Sequence, residues 1–108
     1  MTPSRHVAVE VLRFGVAAHE REEFMAVERS VWTDFLRRQH GFLAKEVWVP
    51  VEGDDVIVTI WWESLAQWKA ITPEHCAEVD ERMGEWLRPI SDVQELLLVE
   101  RFEGRIES

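Results

Sequence analysis

His75 and Glu10 are the residues of this chain whose types and settings could do chemistry. His75 stands in Thr72-Pro73-Glu74-His75-Cys76, and its four-residue step to Val79 places it at the margin of a helix's apolar face. An imidazole there could act as a general base, or as a ligand through its neutral nitrogen. The competing reading is an exposed or structural histidine. Glu10 interrupts a run of alternating valines, so it either points to an intersubunit face or sits within a site. Burial would raise its pKa toward the range useful for proton abstraction; the interface is the preferred placement. Cys76 has no neighbouring Lys or Arg to lower its thiol pKa and reads as a small packed residue rather than a nucleophile.

Six Trp and no Tyr concentrate aromatic chemistry in one side-chain type. Phe24, Trp62, Trp68 and Trp86 could line an apolar chamber that holds a small aromatic molecule by offset stacking, or could simply fill the core. Trp48 and Trp61 suit a dimer interface, where aromatic residues are enriched. Trp61 and Trp62 are adjacent on a strand and must point to opposite faces, so they cannot line one chamber. Trp62 is expected to look toward the helices and Trp61 toward a partner subunit.

No metal site is expected. His19 with Glu23, and His75 with Glu78, are partial sets that a solvated salt-bridge face explains equally well. The sequence has no phosphate-binding Gly-rich loop and no Gly-flanked Ser nucleophile.

The elements that must position these residues follow from hydrophobic period. Val7 to Phe14 alternates as a first strand, and Phe24, Val27, Val31 and Phe35 mark the apolar stripe of a helix from Ala17 to Gln39. Phe42 to Val49 and Val56 to Glu63 form a hairpin around Pro50 to Asp55. Ser64 caps a short helix, and Thr72 with Pro73 starts a second long one whose apolar face is Val79, Met83, Trp86, Leu87 and Ile90. Pro89 ends that helix, Val93 to Phe102 is the last strand, and 103–108 is a polar tail.

This order predicts an α+β, ferredoxin-like βαββαβ fold with a four-stranded antiparallel sheet and both helices on one face, as a single domain over 1–108. Val7, Val9 and Val11 are expected to share the helix-side face with Val58 and Ile60. The opposite face, with Leu12, Ile57 and Trp61, is too apolar to stay wet, and a second copy of the chain is its expected cover.

Twelve Lys and Arg stand against 21 Asp and Glu, a formal charge of −9 that repels nucleic acid and anionic lipid alike. Neither is an expected partner. The single cysteine excludes an intramolecular disulfide, and the N-terminus lacks the apolar run of a secretory signal, so the expected setting is the cytoplasm.

The segments VAVEVLRF (7–14), HGFLAKEVW (40–48) and VTIWWESLAQWKAI (58–71) together resemble the antibiotic biosynthesis monooxygenase superfamily of dimeric α+β barrels. The resemblance runs from about His6 to Phe102. It rests on element order, on Gly41-Phe42 opening the second strand, and on Trp62-Glu63-Ser64 leading into a helix that carries Trp68. It implies a homodimer with its sheets packed face to face and a small cavity between each sheet and its helices. The superfamily contains cofactor-independent oxygenases of aromatic polyketides and haem-degrading enzymes. The haem-degrading branch uses an Asn on the first strand, and this chain has no Asn. The resemblance thus implies a monooxygenase-like oxidoreductase without a cofactor, acting on or binding a small aromatic molecule; His75, from its own setting, is the expected base, with Trp62 and Trp68 as walls. The alternative is a non-enzymatic ligand-binding or interaction module, with haem held through His75 as one form of it.

Overall fold

The computed structural model describes residues 6–104. Strand β1 (Ala8–Phe14) leads through a 3-10 turn (Ala18–Glu20) into α1 (Arg21–Glu28), a π-helical turn (Arg29–Thr33) and α2 (Asp34–Arg37). The hairpin β2 (Phe42–Trp48) and β3 (Val56–Trp62) follows, then α3 (Leu65–Lys69), α4 (Pro73–Glu81), a 3-10 turn (Gly84–Trp86) and β4 (Ile90–Leu97). The strands form one antiparallel sheet in the order β2-β3-β1-β4. The architecture is the ferredoxin-like α+β fold that the element order predicts.

Local chemistry sets the helix starts. Ser64 is extended, and its hydroxyl accepts from the Gln67 backbone N–H at 3.2 Å. Thr72 does the same for His75 N–H at 3.1 Å, with Pro73 in the first turn where its missing N–H costs nothing. Gly41 turns the chain from α2 into β2 at φ +86°, a conformation that favours glycine. The loop from β2 to β3 is held by side chains. The Arg13 guanidinium donates to the Asp55 carboxylate at 2.8 Å, and Ala18 N–H donates to Asp54 at 2.9 Å.

The core forms where one face of β3 meets the helices. Val56, Val58, Ile60 and Trp62 are buried against Phe24, Val31, Leu36, Trp68, Val79 and Met83. Strand β1 corrects the sequence expectation. Ala8, Glu10 and Leu12 pair with Trp62, Ile60 and Val58, so they share the helix-side face, and Val9 and Val11 lie on the open one. β1 carries apolar residues in both phases, and its partner's strict alternation decides which phase turns inward.

The second half differs from expectation at one joint. α4 stops at Glu81 because the chain turns at Gly84, φ +59°, before Pro89 is reached. Leu87 is therefore exposed and Ile90 opens β4 instead of closing a helix. The strand starts three residues earlier than predicted, tied by Gly15 N–H donating to the Pro89 carbonyl at 2.9 Å, and it ends at Leu97 rather than Phe102. Of the polar tail, residues 105–108 lie outside the described residues. No helix among the described residues is long and apolar enough to cross a membrane.

Candidate functional site

The helix-side face of β1 and β4 is only partly roofed. Glu10, Glu95, Val93 and Leu97 share that face through the β1–β4 ladder, and Val93 and Leu97 remain 50% and 48% exposed. Two carboxyls and two half-exposed apolar side chains thus lie together on the sheet face near its β4 edge. α3 brings Lys69 to it, whose ammonium pairs with Glu95 at 2.6 Å. α4 brings Cys76 and Asp80, one turn apart on the same face.

These acids are interdependent. Burial pushes the Glu10 carboxyl up from the ordinary 4.5 to about 7; Lys69 opposes the rise and Glu95 adds to it. Burial also raises the Cys76 thiol, with Glu10 and Asp80 contributing as negative neighbours. Asp80 is raised by burial and held back by a hydrogen bond from Trp32. Cys76 thus lies near both Glu10 and Asp80, and a negative charge on its sulfur is disfavoured. A carboxyl near 7 can take a proton at neutral pH.

Sequence reasoning singled out Glu10 and Cys76 but missed Lys69, Asp80, Glu95 and Trp32. Only the four-residue step from Cys76 to Asp80 was visible in one segment; the other contacts join β1, β4 and three helical segments. Glu10 lies on the helix side, so the face on which its interface placement rested is not the one it occupies.

His75 is exposed at the start of α4, its ring set edge-on to Phe35 with centroids 6.1 Å apart. Phe24, Trp62 and Trp68 are in the packed core, and Trp86 is half-buried beneath Arg88. Trp62 is 1% exposed, yet its indole N–H has no hydrogen-bond partner among the described residues. Trp48 and Trp61 lie on the open face. There the Glu46 carboxylate accepts from Trp61 at 3.0 Å and from the Thr59 hydroxyl at 2.8 Å, and Trp48 donates to Thr59. A cavity of about 390 Å³ opens beside Trp61, bounded by Leu43, Ala44, Leu98 and Arg101.

No group of three or more His, Cys, Asp or Glu among the described residues could hold a metal ion. Haem does not fit either: His75 stands on the surface and lines neither this cavity nor the one beside the β2 edge described below.

No protein-family model matches the sequence, and no curated protein is significantly similar to it. Solved structures do match. A monooxygenase from the ActVA-Orf6 gene of Streptomyces coelicolor, in complex with Nanaomycin D, superimposes with a TM-score of 0.70 at 17% identity over 95% of each chain. SnoaB of Streptomyces nogalater, a cofactor-independent oxygenase, gives 0.62 at 17% identity over 91% of this chain and 96% of its own. Rv0793 of Mycobacterium tuberculosis gives 0.65 at 17% identity, covering 90% and 99%. At these identities the likeness is one of fold, and the fold of this chain is that of the antibiotic biosynthesis monooxygenases.

Proposed function

We propose that this protein is a homodimeric, cofactor-independent oxygenase of a small aromatic carbon acid, with Glu10 as the proton acceptor. The observation that carries the reading is Glu10 itself, a carboxyl with a pKa of about 7 on the helix-side face of the sheet, beside half-exposed Val93 and Leu97. The fold shared with a cofactor-independent oxygenase supports it. His75 is the lesser candidate because its ring is exposed and lines neither cavity.

In this reading the Glu10 carboxylate removes a proton from a ring methylene or hydroxyl, and the electron-rich anion itself reduces dioxygen. A methylene that becomes a carbonyl gives up four electrons. One oxygen atom enters the product and the other leaves as water, so no external reductant is required. Phe24, Trp62 and Trp68 are buried in the core on the helix side of the sheet, and half-buried Trp86 packs against it. A second copy covers the open face, where Val9, Val11, Ile57 and Leu96 surround Trp61 and Trp48.

Oxygen uptake with anthrones and quinols tests the activity. Glu10→Gln should lower the rate by about 10² to 10⁴, the usual worth of a positioned base, and His75→Ala should leave it unchanged. No uptake with either substrate class would sink the enzymatic reading in favour of a binding module. Light scattering tests the dimer, which a monodisperse monomer at micromolar concentration would rule out.

A further inference from the structure

At the β2 edge of the sheet, two strands away from Glu10, a cavity of about 260 Å³ lies where the first helical segment overhangs. Its floor is a buried ion pair. The Lys45 ammonium binds the Glu28 carboxylate and the Thr33 hydroxyl, and both charged side chains are only 6% exposed. Burial lowers the Lys45 pKa against the pull of Glu28, and Arg29 lowers it further, which places a second cation close by.

Arg29 and Arg37 stand at the mouth, and neither guanidinium makes an ion pair or a hydrogen bond among the described residues. With Glu28 neutralised by Lys45, the cavity presents two unpaired guanidiniums in a chain that carries 21 acidic and 12 basic residues.

The helix is shaped to keep this arrangement. Met25, Arg29, Thr33 and Arg37 recur at four-residue steps, and four α-helical residues overshoot a full turn by about 40°. An uninterrupted α-helix would carry the row progressively off the β2 edge. The wider π-helical turn over Arg29–Thr33 takes back part of that drift, and all four residues line the cavity. Such turns inside α-helices recur at functional sites. Met25 and Val47 supply apolar walls.

We propose that this cavity binds a small organic carboxylate. Arg29 and Arg37 clamp its two oxygens, and its apolar body lies against Met25 and Val47. A planar guanidinium matches a carboxylate in two parallel hydrogen bonds, and Lys45, already paired with Glu28 and bonded to Thr33, braces the floor instead of taking the ligand.

The test is calorimetric titration of the full chain with benzoate, with neutral benzamide and with inorganic phosphate. Benzoate should bind saturably, and Arg29→Gln/Arg37→Gln should weaken it by about tenfold or more while circular dichroism stays unchanged. Benzamide should not bind. Benzoate affinity unaltered in the double variant, or no saturable benzoate binding, would overturn the site. Benzamide binding as tightly as benzoate would overturn the charge clamp, and phosphate binding more tightly than benzoate would overturn the apolar walls as part of the site. None of these readings uses oxygen consumption, so the inference fails or stands apart from the proposed activity.

Discussion

Glu10 and Glu95 face each other across the β1–β4 ladder, and Lys69 pairs with only one of them. Burial, with the second carboxyl at the same rung and against the pull of Lys69, makes Glu10 hold its proton to higher pH than an ordinary carboxyl. Its raised pKa means that the folded protein binds this proton more tightly than the unfolded chain does. The group therefore favours the fold fully below the ordinary 4.5, and that contribution is lost as pH rises toward about 7. Glu10→Gln, which never ionises, is expected to be more stable than the parent above pH 7 by up to about 3 kcal/mol, at about 1.4 kcal/mol per pKa unit. Urea denaturation of both proteins at acid and alkaline pH measures it; an equal gap at both would refute the linkage.

Lys69 holds the Glu10 pKa down and occupies Glu95. Lys69→Met removes both effects, so the Glu10 carboxyl should titrate higher still. Carbon-detected NMR of the Glu10 carboxyl reads the midpoint directly. If the proposed activity is present, its rising pH limb should move in the alkaline direction by the same amount, and an unmoved midpoint would show that Lys69 does not act on Glu10.

The buried Glu28–Lys45 pair predicts an asymmetry between single and double substitution. Lys45→Met leaves a buried carboxylate unpaired and should cost about 3 to 5 kcal/mol. Glu28→Leu/Lys45→Met replaces both charges with apolar groups and should recover most of that loss. Chemical denaturation of the two variants decides the point, and a double variant no better than the single one would mean that packing, rather than charge, sets the cost.

Gly41 is boxed in as well as left-handed. A Cβ there would lie 2.6 Å from the end of the Gln67 side chain and 2.8 Å from its Cβ. The conformation alone should cost Gly41→Ala about 1 to 2 kcal/mol. The terminal amide of Gln67 can swing aside but its Cβ cannot, so adding Gln67→Ala should not restore the melting temperature. Full recovery in that double variant would place the whole cost in the amide.

Much of the fold was legible because neighbouring residues carry its signals. Ser64 and Thr72-Pro73 announce their helices by capping chemistry, the 50–55 loop announces its hairpin, and adjacency alone puts Trp61 and Trp62 on opposite faces. The face of β1 was hidden, since Val9 and Val11 compete with Ala8 and Leu12 for the interior and only pairing with β3 breaks the tie. The end of α4 was misplaced because Pro89 is the louder stop signal, whereas Gly84 acts first. The acidic cluster was partly visible: Glu10 stood out as an acid among valines, but Lys69, Asp80 and Glu95 become its neighbours only through tertiary packing.

The indole N–H of Trp62 gives the interior a preference of its own. A buried donor left without an acceptor forfeits about 1 to 3 kcal/mol relative to one that is bonded. With Trp62 only 1% exposed and lining neither cavity, the fold itself carries that cost; an acceptor introduced on a neighbouring core side chain would recover part of it, and an apolar one would recover none.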